Sequence, residues 1–277
     1  MLASALGFAL MAACVKIANT TYEIPVLEIV AARAIVSALI SYADIRRKKI
    51  SAWGNNRPWL IARGTVGALA LILVYYAITT LPLAEATILQ YLHPVFTALL
   101  ALVFLKEIIQ RSTIACILLS VIGLLIMIQP NFTLDNGTPY SWWSISAALL
   151  GSFGSAVAYV IVKKLTKTED SSVIVFYFPI IAIPISIGLL GSDFVLPGLA
   201  ATGVLILVGI FTQVGQIGLT KALHSADANK ATAYAYVQVL FSVFIGWVYF
   251  SEVPVFTTLM GGVFILAGAL INVLWKR

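Results

Sequence analysis

The residues able to do chemistry in this chain are few, and most lie inside long apolar stretches. Arg33 stands near the middle of one, about eight residues from either end. A guanidinium that deep is too far from water to snorkel easily, so it needs an acid, several carbonyls or an anionic ligand. Glu28 is five residues away, about 140° around a helix, and is a poor same-face partner. Two readings of Arg33 stay open: contact with an anionic substrate or a gate, and a structural ion pair with another helix. Gln90, His93 and Thr97 fall at i, i+3 and i+7, one helical face, and Gln213, Gln216 and Thr220 repeat that spacing. Such stripes either wall a polar cavity or bond helices to one another. His93 precedes Pro94, whose missing N–H opens a helix locally. A titratable imidazole beside a hinge suits proton coupling, and a neutral core histidine fits equally well.

Other side chains are weaker candidates. Glu85 opens an apolar stretch, where an acid also favours the positive helix end. Tyr75, Tyr76, Tyr91, Tyr234, Tyr236 and Trp247 add aromatic surface. Those near stretch ends read as interfacial anchors. Tyr91 and Tyr236 lie deeper and either stack on a planar substrate or pack. Lys16, near the end of the first stretch, can reach outward. Cys14 and Cys116 both fall in apolar stretches and suggest neither a disulfide nor a metal site. There is no Walker motif, no Gly-rich nucleotide loop, no clustered metal ligands and no nucleophile paired with a base. The expectation is recognition without bond-breaking: no enzyme, no cofactor, no ATP-driven pump.

The elements that position these residues are membrane helices. The chain is 61% hydrophobic and 10% charged, whereas a soluble domain averages about 25% charged. Ten apolar spans are predicted at 2–18, 25–42, 59–80, 84–105, 112–128, 142–163, 172–190, 198–223, 226–250 and 255–275. Each is of a length to cross about 30 Å of hydrocarbon at about 1.5 Å per residue. A tight turn is expected at 81–83 and a polar outside loop at 129–141. Met11-Ala12-Ala13-Cys14 loosely resembles a lipoprotein cleavage box, but no Lys or Arg precedes it, so it reads as part of the first helix.

Charge sets the orientation. With Met1 inside, 15 of the 17 Lys and Arg fall in inside loops or at inside helix ends, all but Lys16 and Arg33. Outside segments carry only acids: Glu23, Asp135, Asp193 and Glu252. Such a bias predicts a multi-pass protein of the cell membrane with both termini cytoplasmic. The net charge of +6 is spread over loops, densest at Arg46-Arg47-Lys48-Lys49, and reads as a topology signal in contact with lipid head groups. No nucleic-acid partner is expected.

The chain also repeats itself. Slid by 145 residues, the 50 positions from Ala77 to Ile126 meet 11 identical residues, among them Thr87 on Thr232, Tyr91 on Tyr236, Glu107 on Glu252 and Gly123 on Gly268. His93 maps to Gln238 and Thr97 to Ser242, while Gln90 maps to Ala235. Five helices are an odd number, so a copy must enter the membrane from the opposite side. The expected fold is all-α and polytopic: ten transmembrane helices as two inverted five-helix repeats, over 1–130 and 141–277. Secondary transporters use this architecture, with a midplane site where the repeats meet.

Several stretches add a family resemblance: Arg63-Gly64 with Tyr75-Tyr76-Ala77, Leu81 to Thr87, His93-Pro94 to Glu107, Gly123-Leu124, and Ala226-Asp227-Ala228 to Ser251-Glu252. Over essentially the whole chain it resembles the EamA-type branch of the drug/metabolite transporter superfamily. The resemblance implies cytoplasmic termini and transport of amino acids, other metabolites or organic anions. The combined expectation is a secondary transporter of a small polar metabolite working by alternating access. Arg33 would draw an anionic group, and Tyr75, Gln90, His93, Gln216, Tyr236 and Gln238 would orient the substrate. Pro94 would gate, with Glu28 and Glu85 as candidates for coupling to protons. A channel is the alternative, and after it an intramembrane enzyme. No helix face marks an oligomer contact.

Overall fold

The computed structural model describes residues 1–80, 89–128, 142–191, 193–251 and 256–275. The expected turn at 81–83, Glu85, the loop 129–141, Glu252 and the side chain of Tyr75 lie outside the described residues. Every regular element described is helical: α1 (Leu2–Tyr22), α2 (Val26–Arg47), α3 (Arg57–Thr80), α4 (His93–Leu100), α5 (Arg111–Ile128), α6 (Trp142–Leu165), α7 (Ser171–Leu190), α8 (Leu199–Ser225), α9 (Ala228–Ala233), α10 (Val237–Phe250) and α11 (Phe256–Leu274). Helices are the natural outcome where a backbone must satisfy its polar groups without water. Seven helical stretches are long and apolar enough to cross a membrane, and three shorter apolar ones accompany them.

Two expected spans are broken. The fourth passes through a turn at Tyr91-Leu92 before α4, which runs on into a π-helical turn, Ala101–Leu105. The ninth is α9 and α10 joined by a 3-10 turn, Tyr234–Tyr236. The breaks overlap at the 145-residue mates Tyr91 and Tyr236, yet only the fourth span contains a proline, Pro94. Proline chemistry alone therefore does not cause them. The fourth and ninth spans end alike, in left-handed residues Lys106 (φ 54°) and Ser251 (φ 56°), also 145 apart. Pro94 announces the first break in the sequence, whereas the ninth span carries no proline to mark its own.

The main packing partners are α1 with α8, α3 with α6, α2 with α7, and α5 with α11. Further contacts join α2 to α8, α3 to α7, α1 to α10 and α4 to α6. Small residues permit the close approaches, as expected where lipid removes the hydrophobic drive between helices. A Cβ on Gly123 would stand 2.5 Å from the Gly261 carbonyl, and one on Gly268 would stand 3.0 Å from that of Cys116. Ser4 Oγ donates to the Gly215 carbonyl at 2.7 Å across α1 and α8.

Charged groups cluster at helix ends. Lys48 Nζ lies 2.9 Å from both Asp44 Oδ2 and Asp170 Oδ1, tying the end of α2 to the start of α7. Asp170 caps α7 by accepting from the Ser172 N–H at 2.8 Å. Glu169 accepts from the N–H groups of Asn55 and Asn56 just before α3. Glu107 accepts from those of Ala228 and Asn229 at the start of α9. Orphan N–H groups at helix starts are thereby satisfied with favourable charge.

Candidate functional site

A cavity of about 190 Å³ lies between α1, α2, α3, α6, α7 and α8 and the two broken spans. It reaches Met1 at one end of α1 and Met11 further along it. It is smaller than the roughly 300–1,000 Å³ typical of drug-sized ligands, so it suits a small metabolite. Of the residues expected at a site, Arg33, Gln90, His93, Gln216 and Gln238 line it.

Arg33 is 5% exposed, and its Nη1 lies 3.7 Å from Met11 Sδ, a weak acceptor. Arg63 is 4% exposed and donates from Nη2 to Gln216 Oε1 at 3.3 Å. Both guanidiniums lie against the same ring, Phe178, with their carbons 5.7 and 5.3 Å from its centroid. The Nε of each is buried without a hydrogen-bond partner. Among the described residues, neither has a carboxylate within ion-pair distance. An unpaired charge in a low-dielectric interior is costly, and two together more so. Gly67 makes room for this arrangement: a Cβ there would meet Arg63 Nη1 and the Phe178 ring.

His93 owes its orientation to its neighbour. Pro94 has no N–H, so the carbonyl four residues back, that of Gln90, loses its helical donor. Two groups replace it: Ser152 Oγ donates at 3.1 Å, and His93 Nδ1 lies at 3.1 Å. A carbonyl only accepts, so Nδ1 carries the proton. In the neutral ring Nε2 then keeps a lone pair, and it is buried and unpartnered. The imidazole sits edge-on to Tyr159, with centroids 5.4 Å apart. Thr97 Oγ1 donates to the His93 carbonyl at 2.7 Å.

Other expected residues stand elsewhere. Tyr236 is fully buried, stacked on Tyr91 at 6.0 Å, and its hydroxyl donates to the Tyr91 carbonyl at 3.0 Å. It braces the two breaks against each other and does not line the cavity. Pro94 is buried behind the wall. Glu28 is buried near the start of α2, where Oε2 accepts from the Val195 N–H at 3.0 Å and Oε1 has no partner. It lies off the cavity lining and is no partner to Arg33. Gln213 divides from its stripe: Oε1 accepts from Ser37 at 2.5 Å and Nε2 donates to Ser41 at 2.6 Å, clasping α2 to α8. Only Gln216 of that stripe faces the cavity.

Sequence reasoning missed Arg63, Tyr159 and Phe178. By sequence, Arg63 reads as a charge at an inside helix end. Since α3 starts at Arg57, it lies six residues in, about 9 Å along the axis at about 1.5 Å per residue. The signal that would have found it is depth measured from the true helix start. Phe178 is the 145-residue mate of Arg33, so these two touch as Tyr91 and Tyr236 do.

The family model for the EamA-like transporter family matches residues 1–129 and again 142–274. The pseudopaline exporter CntI of Pseudomonas aeruginosa (strain UCBPP-PA14) is 34% identical over 95% of this chain and 90% of that protein. An S-adenosylmethionine uptake transporter of Rickettsia bellii (strain RML369-C) is 27% identical over 78% of this chain and 72% of that one. A solved crystal structure superposes with a TM-score of 0.82 at 17% identity, over 99% of this chain and 97% of the other. At that identity the likeness speaks for the fold.

Proposed function

We propose that this chain, which belongs to the EamA-like transporter family, is a secondary transporter of a small polar metabolite bearing an anionic group. It works by alternating access in the cell membrane, with both termini cytoplasmic. The observation that carries this reading is a pair of buried guanidiniums, Arg33 and Arg63, that line one cavity and have no acid beside them among the described residues. Buried charges in membrane spans mark substrate paths, and an anion supplies the missing partner.

The two inverted repeats belong to the same proposal. The family matches fall one on each half. Exchanging each span with the one five places on turns the α1–α8 pairing into α6–α3, α2–α8 into α7–α3, and α1–α10 into α6–α4. The pairs α2–α7 and α5–α11 exchange with themselves. Contacts between residues 145 apart, Tyr91 with Tyr236 and Arg33 with Phe178, support a pseudo-two-fold axis beside the cavity. Rocking of the halves about that axis would expose the cavity to each side in turn. The breaks at Tyr91-Leu92 and Tyr234–Tyr236 are the hinges, with Pro94 beside the first. His93 Nε2 accepts a donor on the substrate, and Gln90, Gln216 and Gln238 orient it. Glu28, with one oxygen buried and unpartnered, is the coupling candidate among the described residues. Glu85 and Tyr75 keep their expected roles in coupling and substrate contact. Export and uptake both occur among the named relatives, as a reversible rocking carrier allows.

The test is counterflow in proteoliposomes loaded with a panel of amino acids and organic acids. Saturable counterflow of an anionic compound, lost in Arg33→Gln with the folded yield unchanged, is the expected result. Unaltered flux in that variant, or single-channel conductance, would refute the reading.

A further inference from the structure

We propose that the cavity takes a dianion of small dicarboxylate type, with Arg33 and Arg63 each holding one of its two anionic groups. The inference rests on the transporter reading above and assigns its substrate class. Both guanidiniums are at least nineteen-twentieths buried and lean on the one ring of Phe178. Their carbons are therefore within about 11 Å of each other. Each guanidinium carries five donors in a fork that fits a carboxylate. What they hold now is meagre: Arg33 a thioether, Arg63 an amide oxygen. Each retains an unpartnered Nε.

Charge balance selects the ligand. Counting the described residues, a monoanion would leave one positive charge buried, whereas a dianion brings the site to zero. A zwitterion fits poorly, because no Asp or Glu is present in the described lining to receive an ammonium group. The neutral amides of Gln90, Gln216 and Gln238 suit the polar remainder of an organic acid. The volume of about 190 Å³ restricts the chain between the two anionic groups to a few atoms. The repeat offers no second pair: the 145-residue mates of Arg33 and Arg63 are Phe178 and Val208, both apolar. The cations come from one half only.

The experiment is thermal unfolding of the purified protein in lipid nanodiscs with succinate and malate as probes. Butanoate, lactate and chloride at equal ionic strength are the controls. The dicarboxylates should raise the melting temperature at concentrations at least tenfold below those at which the monocarboxylates act. Arg63→Gln and Arg33→Gln should each erase that preference. Arg63→Lys, which keeps the charge, should keep part of it and guards against a folding artefact. Equal shifts from butanoate and succinate, a dicarboxylate preference retained in Arg63→Gln, or no shift with either dicarboxylate would overturn the inference. Counterflow separates the two levels: saturable flux of a monocarboxylate or amino acid without dicarboxylate preference removes the dianion and leaves the transporter standing.

Discussion

Neutralising either cavity arginine should make the empty protein more stable, and a double-mutant cycle measures by how much. The two guanidinium carbons lie 5.7 and 5.3 Å from the Phe178 centroid, so at most about 11 Å apart. At an effective dielectric of about 20, like unit charges at about 11 Å repel by about 1.5 kcal/mol, and more at shorter range. Arg33→Gln or Arg63→Gln removes that repulsion and one buried charge. The shorter side chain gives up some packing on Phe178. In the double variant the second neutralisation no longer gains from repulsion. The coupling energy is therefore at least about 1.5 kcal/mol, of the sign for two groups that destabilise each other. The assay is reversible unfolding in mixed detergent micelles, without added organic anions, on wild type, both singles and the double. A coupling near zero would mean that the charges are screened or paired. A coupling of opposite sign would mean that the pair holds the bundle together, and the anion argument would fail.

Four further variants test the packing and the helix-end charges. Gly123→Val should lower stability by about 1–3 kcal/mol through overpacking of α5 on α11, seen as a drop in melting temperature. Gly268→Val should do the same less severely, because its Cβ has more room. Ser152→Ala should lower stability by about 1 kcal/mol, since the Gln90 carbonyl loses one of its two donors. An unchanged melting temperature would show that the carbonyl is satisfied elsewhere. Lys48→Met should lower stability by up to about 1 kcal/mol, because the pair with Asp170 is partly exposed.

That last loss has a defined pH window. Burial pushes the Asp170 carboxyl up, but the bond from Lys48 and the Ser172 N–H outweigh it and hold the group below its ordinary 3.8. Burial pushes Lys48 down, and Asp170 with Asp44 outweighs that and holds it above its ordinary 10.5. A lowered acid stabilises above its unfolded pKa, and a raised base stabilises below its own. The difference between wild type and Lys48→Met should be flat from about pH 5 to pH 9. It should fade as acid protonates Asp170 below 3.8. A difference that grows towards acid would contradict this assignment.

Much of the architecture was legible because lipid imposes simple rules. Long apolar runs had to be helices, and a charge as deep as Arg33 had to matter. Breaks in such helices are harder to read. Pro94 pointed to one, but Tyr234–Tyr236 breaks without a proline, bonded through Tyr236 to Tyr91 across the bundle. A stripe such as Gln213, Gln216 and Thr220 gives a face and not the neighbour it meets. Gln213 turns to Ser37 and Ser41, while Gln216 turns to Arg63. At Arg63, a shift of two residues in the helix start, from 59 to Arg57, separates a topology marker from a buried charge.

The central claim is that the cavity faces each side of the membrane in turn. Ser155 and Ala158 line the cavity and are suited to replacement by cysteine in a variant lacking Cys14 and Cys116. Labelling by a membrane-impermeant maleimide, applied separately to right-side-out and inside-out vesicles, reads access directly. Alternating access predicts labelling from both sides, slowed from both by a bound substrate and never simultaneous with ion conductance. Labelling from one side only, or from both with conductance, would contradict it.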